Sequence, residues 1–202
     1  MLIGICGLIG SGKGTVADYL VNKQGFTKLS FADKLKDNVA ELFDWPRNLL
    51  EGDTDESRKW REEPDAFWSG ELGKPVTPRW VLQMYGTECM RNGFYDGIWV
   101  SLVKKQILEN PNLNYVIPDT RFPNEVKVLH ELNGEVWCVR RGLLPDWWSD
   151  AVAGKEIKHI HASEWSWAMP DNDFDHVVFN DGTIEDLEYK LSYVVKNRLP
   201  VD

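Results

Sequence analysis

Seven residues near the amino terminus, from Gly7 to Lys13, combine glycines and a lysine in the spacing G-x-x-x-x-G-K. They follow a short apolar run at 2–6 and precede a stretch with helical spacing of apolar residues. Glycines let the backbone curl so that several N–H groups point inward, and a helix amino terminus adds a positive dipole end. Because a lysine adds a full charge there, the spacing predicts a loop that holds the β- and γ-phosphates of a nucleotide.

The position after the lysine departs from the general form of this motif. Gly14 stands where a Ser or Thr usually holds Mg²⁺, and Thr15 follows it. The GSGKGT string is similar to the loop of nucleoside monophosphate kinases of the adenylate kinase type. Mg²⁺ often keeps most of its waters, so we expect it to be held through water or by another carboxylate. The candidate ATP-binding residues of the loop are Gly10, Ser11, Gly12, Lys13, Gly14 and Thr15.

Two further segments carry charged residues directly after predicted strands. Asp119 follows the strand predicted at 115–118, and it is a candidate to bind Mg²⁺ through water. Arg121 and Arg140 are candidates to clamp the transferring phosphoryl group, because the planar guanidinium fork matches phosphate. The alternatives are that Asp119 only caps a turn and that the arginines are solvated surface residues.

A candidate acceptor site follows the second predicted strand, at 27–31. In nucleotide kinases this place receives the phosphate acceptor, so Asp33 is a candidate to orient the acceptor and Lys36 to hold its phosphate. Asp33 is also the alternative to Asp119 as a water-mediated Mg²⁺ ligand. The competing interpretation makes Asp33 a helix N-cap and Lys36 a solvated side chain.

The composition excludes several other classes of protein. The chain has 202 residues, 43% of them hydrophobic, which is enough for the core of one domain. Its net charge of −9 gives no support to a nucleic-acid-binding or basic membrane-surface protein. No apolar run is long enough to cross a bilayer, and the amino terminus does not resemble a signal peptide. The three cysteines have neither metal-ligand nor redox spacing, so we expect buried free thiols in a reducing cytoplasm.

Alternation of strands and helices predicts the architecture that positions these residues. We expect an α/β fold with a parallel sheet of about five strands, helices on both faces and ligands at the carboxyl ends of the strands. The helix predicted at 33–43 carries Leu35, Val39 and Leu42 as its apolar stripe, and Thr77-Pro78 starts another helix. Residues 44–76 are predicted to form an irregular insertion with some helix, and 142–170 a loop rich in aromatic residues. The predicted strands are 2–6, 27–31, 115–118, 135–140 and 176–179.

Several blocks of the sequence, in order over almost the whole chain, resemble the deoxynucleoside monophosphate kinases of tailed phages, including the T-even type. The combination of PDTR at 118–121, H-x-S-E at 161–164 and NDGT at 180–183 is much more specific than the glycine-rich loop alone. Residues 44–76 and 142–158 match poorly. The other matching blocks are GSGKGT at 10–15, LSFADKLK at 29–36, LQMYGTE at 82–88 with Trp99-Val100, and Val139-Arg140.

The resemblance implies a single P-loop kinase domain over 1–202, with residues 44–76 as an acceptor-side insertion and 141–160 as a lid. It implies ATP, Mg²⁺ and a deoxynucleoside monophosphate as reactants, and ADP and a nucleoside diphosphate as products. It further implies a homodimer, in the host cytoplasm if the protein is phage-encoded. Partners such as nucleic acids or membranes are not expected.

The resemblance also assigns further candidate residues. A helix bordering the acceptor pocket carries Arg79, Gln83, Thr87 and Glu88, of which Gln83 and Glu88 are candidates for base or sugar contacts unless they are simply exposed. Asn180 and Gly182 lie where the fold places the adenine of ATP, and the same segment is a good turn and helix cap. For His161 and Glu164, after the lid, we expect a structural hydrogen bond or one that orders the loop when ATP binds.

Three alternative functions stay open. The first is another small-molecule P-loop kinase, of the dephospho-coenzyme A or phosphomevalonate type. The second is a non-kinase ATP-binding assembly or packaging protein, for which the net charge of −9 offers no basic DNA-binding face. The third is an inactive P-loop scaffold, which the presence of Lys13, Asp119 and Arg121 disfavours.

Overall fold

The computed structural model describes residues 1–196, so the last six residues of the predicted 1–202 domain lie outside the described part. Five strands form one sheet in the order β2-β3-β1-β4-β5, with every pairing parallel. The strands are β1 Leu2–Cys6, β2 Thr27–Lys28, β3 Tyr115–Ile117, β4 Glu135–Arg140 and β5 His176–Phe179. This is the predicted α/β architecture with a parallel sheet of five strands, and β1, β4 and β5 have the predicted bounds.

Helices connect the strands and form most of the region between β2 and β3. The helices are α1 Lys13–Gln24, α2 Asp33–Phe43, α3 Asp55–Glu62, α4 Ala66–Leu72, α5 Pro78–Gln83, α6 Ile98–Glu109, α7 Pro123–Glu131, α8 Trp148–Val152 and α9 Ile184–Lys196. Short 3₁₀ turns lie at Arg47–Leu50, Ala162–Glu164 and Asp171–Asp173, and a π-helix spans Met84–Asn92.

The central strand β1 is buried along its whole length, with helices packed on both of its faces. Ile3 and Ile5 point to one face, where they belong to the same core cluster as Leu20 of α1 and Leu191 of α9. On the other face, a Cβ added to Gly4 would lie 2.1 Å from Leu129 Cδ1 of α7. A residue without a side chain therefore lets α7 approach the sheet closely.

The described residues divide into two compact units. The first comprises 1–30 and the described part of 104–202, and it contains the sheet. The second comprises 31–103 and has its own core, made of Val39, Trp45, Leu50, Val76 and Val81. The predicted insertion at 44–76 lies wholly in the second unit.

The predicted irregular insertion is more helical than its composition suggested. Thr54 caps α3 by accepting a hydrogen bond from Ser57 N at 3.1 Å, and Asp65 caps α4 by accepting one from Trp68 N at 2.9 Å. These caps satisfy N–H groups that the first turn of a helix leaves unpaired. Some helix was predicted here, but helices of eight and seven residues are too short to show a clear apolar period, so the sequence pattern gave no bounds for them.

Other local predictions need correction. The second strand has two residues rather than the five predicted at 27–31, although Leu29 N still donates to Val116 O of β3. On α2, Val39 is buried but Leu42 is 63% exposed, so the apolar stripe does not include it. Within 142–170, which was predicted as loop, α8 forms. Cys89 is exposed, whereas Cys6 and Cys138 are buried as expected.

The helix that starts at Thr77 changes character after one and a half turns. Thr77 Oγ1 accepts a hydrogen bond from Trp80 N at 3.1 Å, as its predicted N-cap role requires. From Met84 onward the backbone is a π-helix, and the Gly86 carbonyl accepts a hydrogen bond from the indole of Trp99 at 3.0 Å. A nine-residue π-helix is rare, and such segments are frequent at functional sites.

Across residues 1–196, none of the helices combines the length and the apolar character that crossing a membrane requires.

Candidate active site

The loop between β1 and α1 has the backbone geometry that the glycine spacing predicted. Gly7, Gly10 and Gly12 have φ values of +148°, +77° and +99°, which favour glycine strongly. A Cβ on Gly7 would lie 2.4 Å from the carbonyl oxygen of Val139 on β4, so the loop is also pressed against the neighbouring strand. Lys13 is the first residue of α1, which places its charge at the helix amino terminus.

The ammonium group of Lys13 folds back onto the loop. Its Nζ donates to the carbonyl oxygens of Gly7 at 2.8 Å and Leu8 at 2.9 Å. Burial lowers the pKa of Lys13, the nearby charge of Arg121 lowers it further, and Glu164 opposes the shift. The ammonium is therefore a partly desolvated cation that an added anion would stabilise.

Asn180 is in direct contact with this loop. Its Nδ2 donates to Ser11 O at 2.9 Å, across 169 positions of sequence. A Cβ on Gly12 would lie 2.3 Å from the same Nδ2, so a glycine is needed for this contact. Gly182 lies in the predicted turn, and the predicted cap is confirmed because Thr183 N donates to Asp186 Oδ2 at 3.0 Å.

Other atoms of the loop are open to a ligand. Gly14 and Thr15 are exposed in the first turn of α1. The Ser11 hydroxyl is buried and has no hydrogen-bond partner among residues 1–196. A buried hydroxyl without a partner is costly, and a phosphate oxygen is one group that would satisfy it.

Asp119 lies just after β3, and its carboxylate is oriented by a neighbouring segment. Ser30, two residues after β2, donates its hydroxyl to Asp119 Oδ2 at 2.6 Å. Because β2 and β3 pair in parallel, both residues reach the carboxyl edge of the sheet. Ser30 belongs to a block that supported the resemblance, but no local signal could identify it as a partner of a residue 89 positions away.

The turn that carries Arg121 is fixed by a buried acid. Glu125 Oε2 accepts the backbone N–H groups of Arg121 at 2.7 Å and Phe122 at 3.1 Å, and Glu125 is 2% exposed. The guanidinium of Arg121 pairs with Glu164, with 3.1 Å between Nη1 and Oε1. Sequence reasoning missed Glu125, although a Glu two residues after Pro123 at a helix start is a recognisable N-terminal signal.

The segment that carries Glu164 is ordered by the hydrogen bond expected near His161. The Nδ1 atom of His161 accepts the backbone N–H of Ser163 at 3.3 Å and lies 2.9 Å from its hydroxyl. The imidazole therefore caps the 3₁₀ turn Ala162–Glu164.

Arg140 is engaged by protein groups. At the end of β4 its two terminal nitrogens form a fork with Asp171, one of them at 3.0 Å, and its guanidinium lies over the ring of Trp148 at 5.0 Å. Although burial alone would lower the pKa of Arg140, the hydrogen bonds to Asp171 raise it. The side chain is 10% exposed, so binding of a phosphate by Arg140 would require it to leave Asp171.

The predicted acceptor residues Asp33 and Lys36 belong to an ordered cluster in the second unit. Lys36 Nζ lies 2.6 Å from Glu51 Oε2 and its side chain is 13% exposed, so it is not a solvated lysine. Asp33 is not the N-cap of α2, because Ala32 occupies that position. Arg47, which sequence reasoning missed, pairs with Asp33 at 3.3 Å and also with Glu51.

The other predicted acceptor residues lie along α5 and the π-helix. Arg79 Nε pairs with Glu62 Oε1 at 2.6 Å. Gln83, Thr87 and Glu88 are exposed, and Glu88 accepts a hydrogen bond from Asn92 at 2.9 Å. Gln83 is the last residue of α5, whereas Thr87 and Glu88 belong to the π-helix that follows it.

Comparison with known proteins identifies a matching family and several relatives. The model of the family "Deoxynucleotide monophosphate kinase" matches residues 66–191. A putative deoxynucleotide monophosphate kinase of Acanthamoeba polyphaga mimivirus is 32% identical, covering 98% of this chain and 97% of the relative. The deoxynucleotide monophosphate kinase of Enterobacteria phage T4 is 28% identical over 58% of this chain and 45% of its own length. The solved dephospho-CoA kinase from Campylobacter jejuni aligns with a TM-score of 0.47 and 16% identity, covering 97% of this chain and 96% of that one. The chain belongs to the deoxynucleotide monophosphate kinase family, which places it among the phosphotransferases.

Proposed function

We propose that this protein transfers the γ-phosphoryl group of ATP to the phosphate of a deoxynucleoside monophosphate, which yields ADP and the diphosphate. The observation that supports the proposal most directly is the partly desolvated Lys13 ammonium on its glycine loop, at the amino terminus of α1. Family membership supports a nucleotide as the acceptor.

The donor site is assigned to the first unit. Lys13 and the N–H groups of the loop would hold the donor phosphates, and Arg121 would neutralise charge on the transferring group. Asn180 and Gly182 would contact the adenine side, an assignment that the hydrogen bond from Asn180 to the loop supports. Phosphoryl transfer through a loose transition state depends mainly on position and charge, so no strong general base is required. Arg140 would join only after it releases Asp171.

Asp119 is the residue whose chemistry fits Mg²⁺ best. Mg²⁺ prefers oxygen ligands and usually keeps several waters, and the Asp119 carboxylate is oriented by the Ser30 hydroxyl at the carboxyl edge of the sheet. Asp33, the alternative, pairs with Arg47, which reduces its effective charge. When bound, Mg²⁺ supplies neutralisation of phosphate charge.

Acceptor binding is assigned to the second unit. Lys36 would hold the acceptor phosphate and Asp33 would orient the acceptor, while Arg79 would supply a further positive charge. The base and sugar are assigned to exposed polar side chains. These are Gln83, the last residue of α5, and Thr87 and Glu88 on the π-helix. The same proposal includes a lid function for residues 141–160, a homodimer, a cytoplasmic location and no nucleic-acid partner.

A coupled ADP-release assay with ATP and Mg²⁺ tests this function. The acceptor panel contains dGMP, dTMP, dCMP and dAMP, their ribose counterparts, dephospho-coenzyme A and phosphomevalonate. We expect turnover with some deoxynucleotides and little with ribonucleotides. Turnover only with a non-nucleotide acceptor would contradict the proposed substrate, and ATP consumption without any acceptor would favour an ATP-driven switch.

A further inference from the structure

Glu164 places a negative charge within the group of cations proposed to hold the donor phosphates. Its Oε1 lies 3.1 Å from Arg121 Nη1. Glu164 and Arg121 also act in opposite directions on the pKa of Lys13, so all three charges are close enough to interact. A carboxylate here repels the phosphates that the two cations would attract.

Contacts within its own turn hold the Glu164 carboxylate in position. Glu164 belongs to the 3₁₀ turn that His161 caps, and the Ser163 hydroxyl lies 3.4 Å from Glu164 Oε1. The Glu164 side chain is 26% exposed, while that of Arg121 is 42% exposed. The anion is therefore held in place, whereas the guanidinium that it pairs with remains accessible to a ligand.

Arg121 is free to exchange partners without a change in its backbone. Its backbone N–H is held by the buried Glu125, so the turn stays fixed when the side chain rotates. Lys13 has an analogous arrangement, since its ammonium group is bonded to two carbonyl oxygens of its own loop. Both cations thus have protein oxygens as partners.

We propose that Glu164 is a resident anion that occupies Arg121 in the nucleotide-free protein and must release it when a polyphosphate binds. Glu164 then keeps Arg121 oriented before the polyphosphate binds. It also weakens the affinity for the donor nucleotide, which favours release of the product ADP. The inference rests on the proposed donor site, and it concerns the binding of a polyphosphate alone. It contrasts with a permanent ion pair, in which Glu164 holds Arg121 throughout and its removal weakens binding.

The variant Glu164→Gln separates these two possibilities because it keeps the size of the side chain and removes the charge. We measure the binding of inorganic tripolyphosphate to the full chain by calorimetry, without acceptor and without Mg²⁺. The Kd should fall about three- to tenfold at low ionic strength, the range expected for loss of one repulsive charge near a partly exposed polyanion site. The gain should shrink toward none at about 0.5 M salt because exposed charges are screened.

Two matched variants control for net charge and for folding. Glu131→Gln removes one negative charge from an exposed ion pair with Lys104, at the carboxyl end of α7, and should leave the Kd unchanged. Glu164→Asp keeps the charge and should stay within about twofold of the wild type, as a partly exposed pair allows.

An unchanged or higher Kd for Glu164→Gln would overturn the proposal, and so would an equal gain in Glu131→Gln or in Glu164→Asp. If Glu164→Gln proves unstable in thermal unfolding, Glu164→Ala takes its place as the variant without the charge, with the same expected fall in Kd and the same overturning results. Failure of the proposed acceptor reaction would appear only in the ADP-release assay. The two failures are therefore distinguishable.

Discussion

Replacing Lys13 by methionine should abolish turnover and leave the fold intact. Methionine keeps the length and much of the volume of the side chain but loses the charge. The ammonium group donates to Gly7 O at 2.8 Å and Leu8 O at 2.9 Å. The same charge, redirected to the donor phosphates, is the one that the proposed reaction needs.

The structure allows both effects of this change to be estimated. Removing one preorganised donor from developing negative charge costs about 10²–10³-fold in kcat, so at least about a hundredfold loss is expected. For stability, two hydrogen bonds from a charged group are lost, at about 1.5–3 kcal/mol each. The desolvation cost of a buried ammonium, several kcal/mol, is lost as well. We therefore expect the free energy of unfolding to change by no more than about 1 kcal/mol, or about 4 °C in Tm.

The pH dependence has a definite sign. Burial, followed by the charge of Arg121, lowers the pKa of Lys13 in the folded protein. The protonated form is therefore disfavoured by folding, and this cost is fully present at pH values below the folded-state pKa. As the pH rises through that pKa toward the unfolded value, the cost disappears. The stability of Lys13→Met relative to the wild type should thus be highest near neutral pH and decrease at alkaline pH.

The assay combines coupled ADP release with thermal unfolding at several pH values. Lys105→Met is the control, because Lys105 lies on the exposed side of α6 in an ion pair with Glu109. The control should keep both activity and Tm. Retention of more than about a hundredth of the wild-type kcat in Lys13→Met would refute the electrostatic argument. A fall in Tm of more than about 10 °C would refute the stability argument.

Three further predictions follow from single contacts. Ser30→Ala removes the 2.6 Å hydrogen bond that orients the strand-end carboxylate and should lower kcat about 10- to 100-fold, because a small misplacement of a positioning group costs up to about a hundredfold in rate; a wild-type kcat would contradict it. Gly4→Ala would place a Cβ 2.1 Å from Leu129 Cδ1 and should lower the free energy of unfolding by about 1–3 kcal/mol, measured in denaturant. An unchanged denaturant midpoint would count against the close packing of α7 on β1. Lys36→Met should raise the KM for the deoxynucleotide about tenfold without affecting that for ATP, as loss of a charged phosphate contact costs about 1.4 kcal/mol or more. Lys34→Met, on the exposed face of the same helix, is its control, and an equal effect in both variants would exclude a specific role for Lys36.

The second unit contains ion pairs, short helices and a π-helix that the sequence pattern could not predict. The bounds of α2 follow from local spacing, yet its partners Glu51 and Arg47 lie in the segment that looked irregular. Short capped helices have too few turns to display a period, and the apolar spacing at 80–85 was compatible with an ordinary α-helix. Within the π-helix that continues it, Gly86 O accepts a hydrogen bond from the Trp99 indole, a tertiary contact that local spacing does not reveal.

The sequence by itself determined the elements whose information is local. The glycine–lysine spacing determined the loop geometry and predicts phosphate binding, because backbone freedom, helix dipole and lysine all lie within seven residues. It also determined the alternation that produces a parallel sheet, and therefore the edge at which a ligand would lie.

Only the tertiary structure decided which side chains act together. The contacts between Ser30 and Asp119, between Asn180 and the loop, and between Arg121 and Glu164 join positions 89, 169 and 43 residues apart. Sequence spacing carries no information on such pairs, because they form where strand ends from distant parts of the chain meet. For the same reason, the sequence could not show that Arg140, at the end of a strand, pairs with Asp171 and lies over the ring of Trp148.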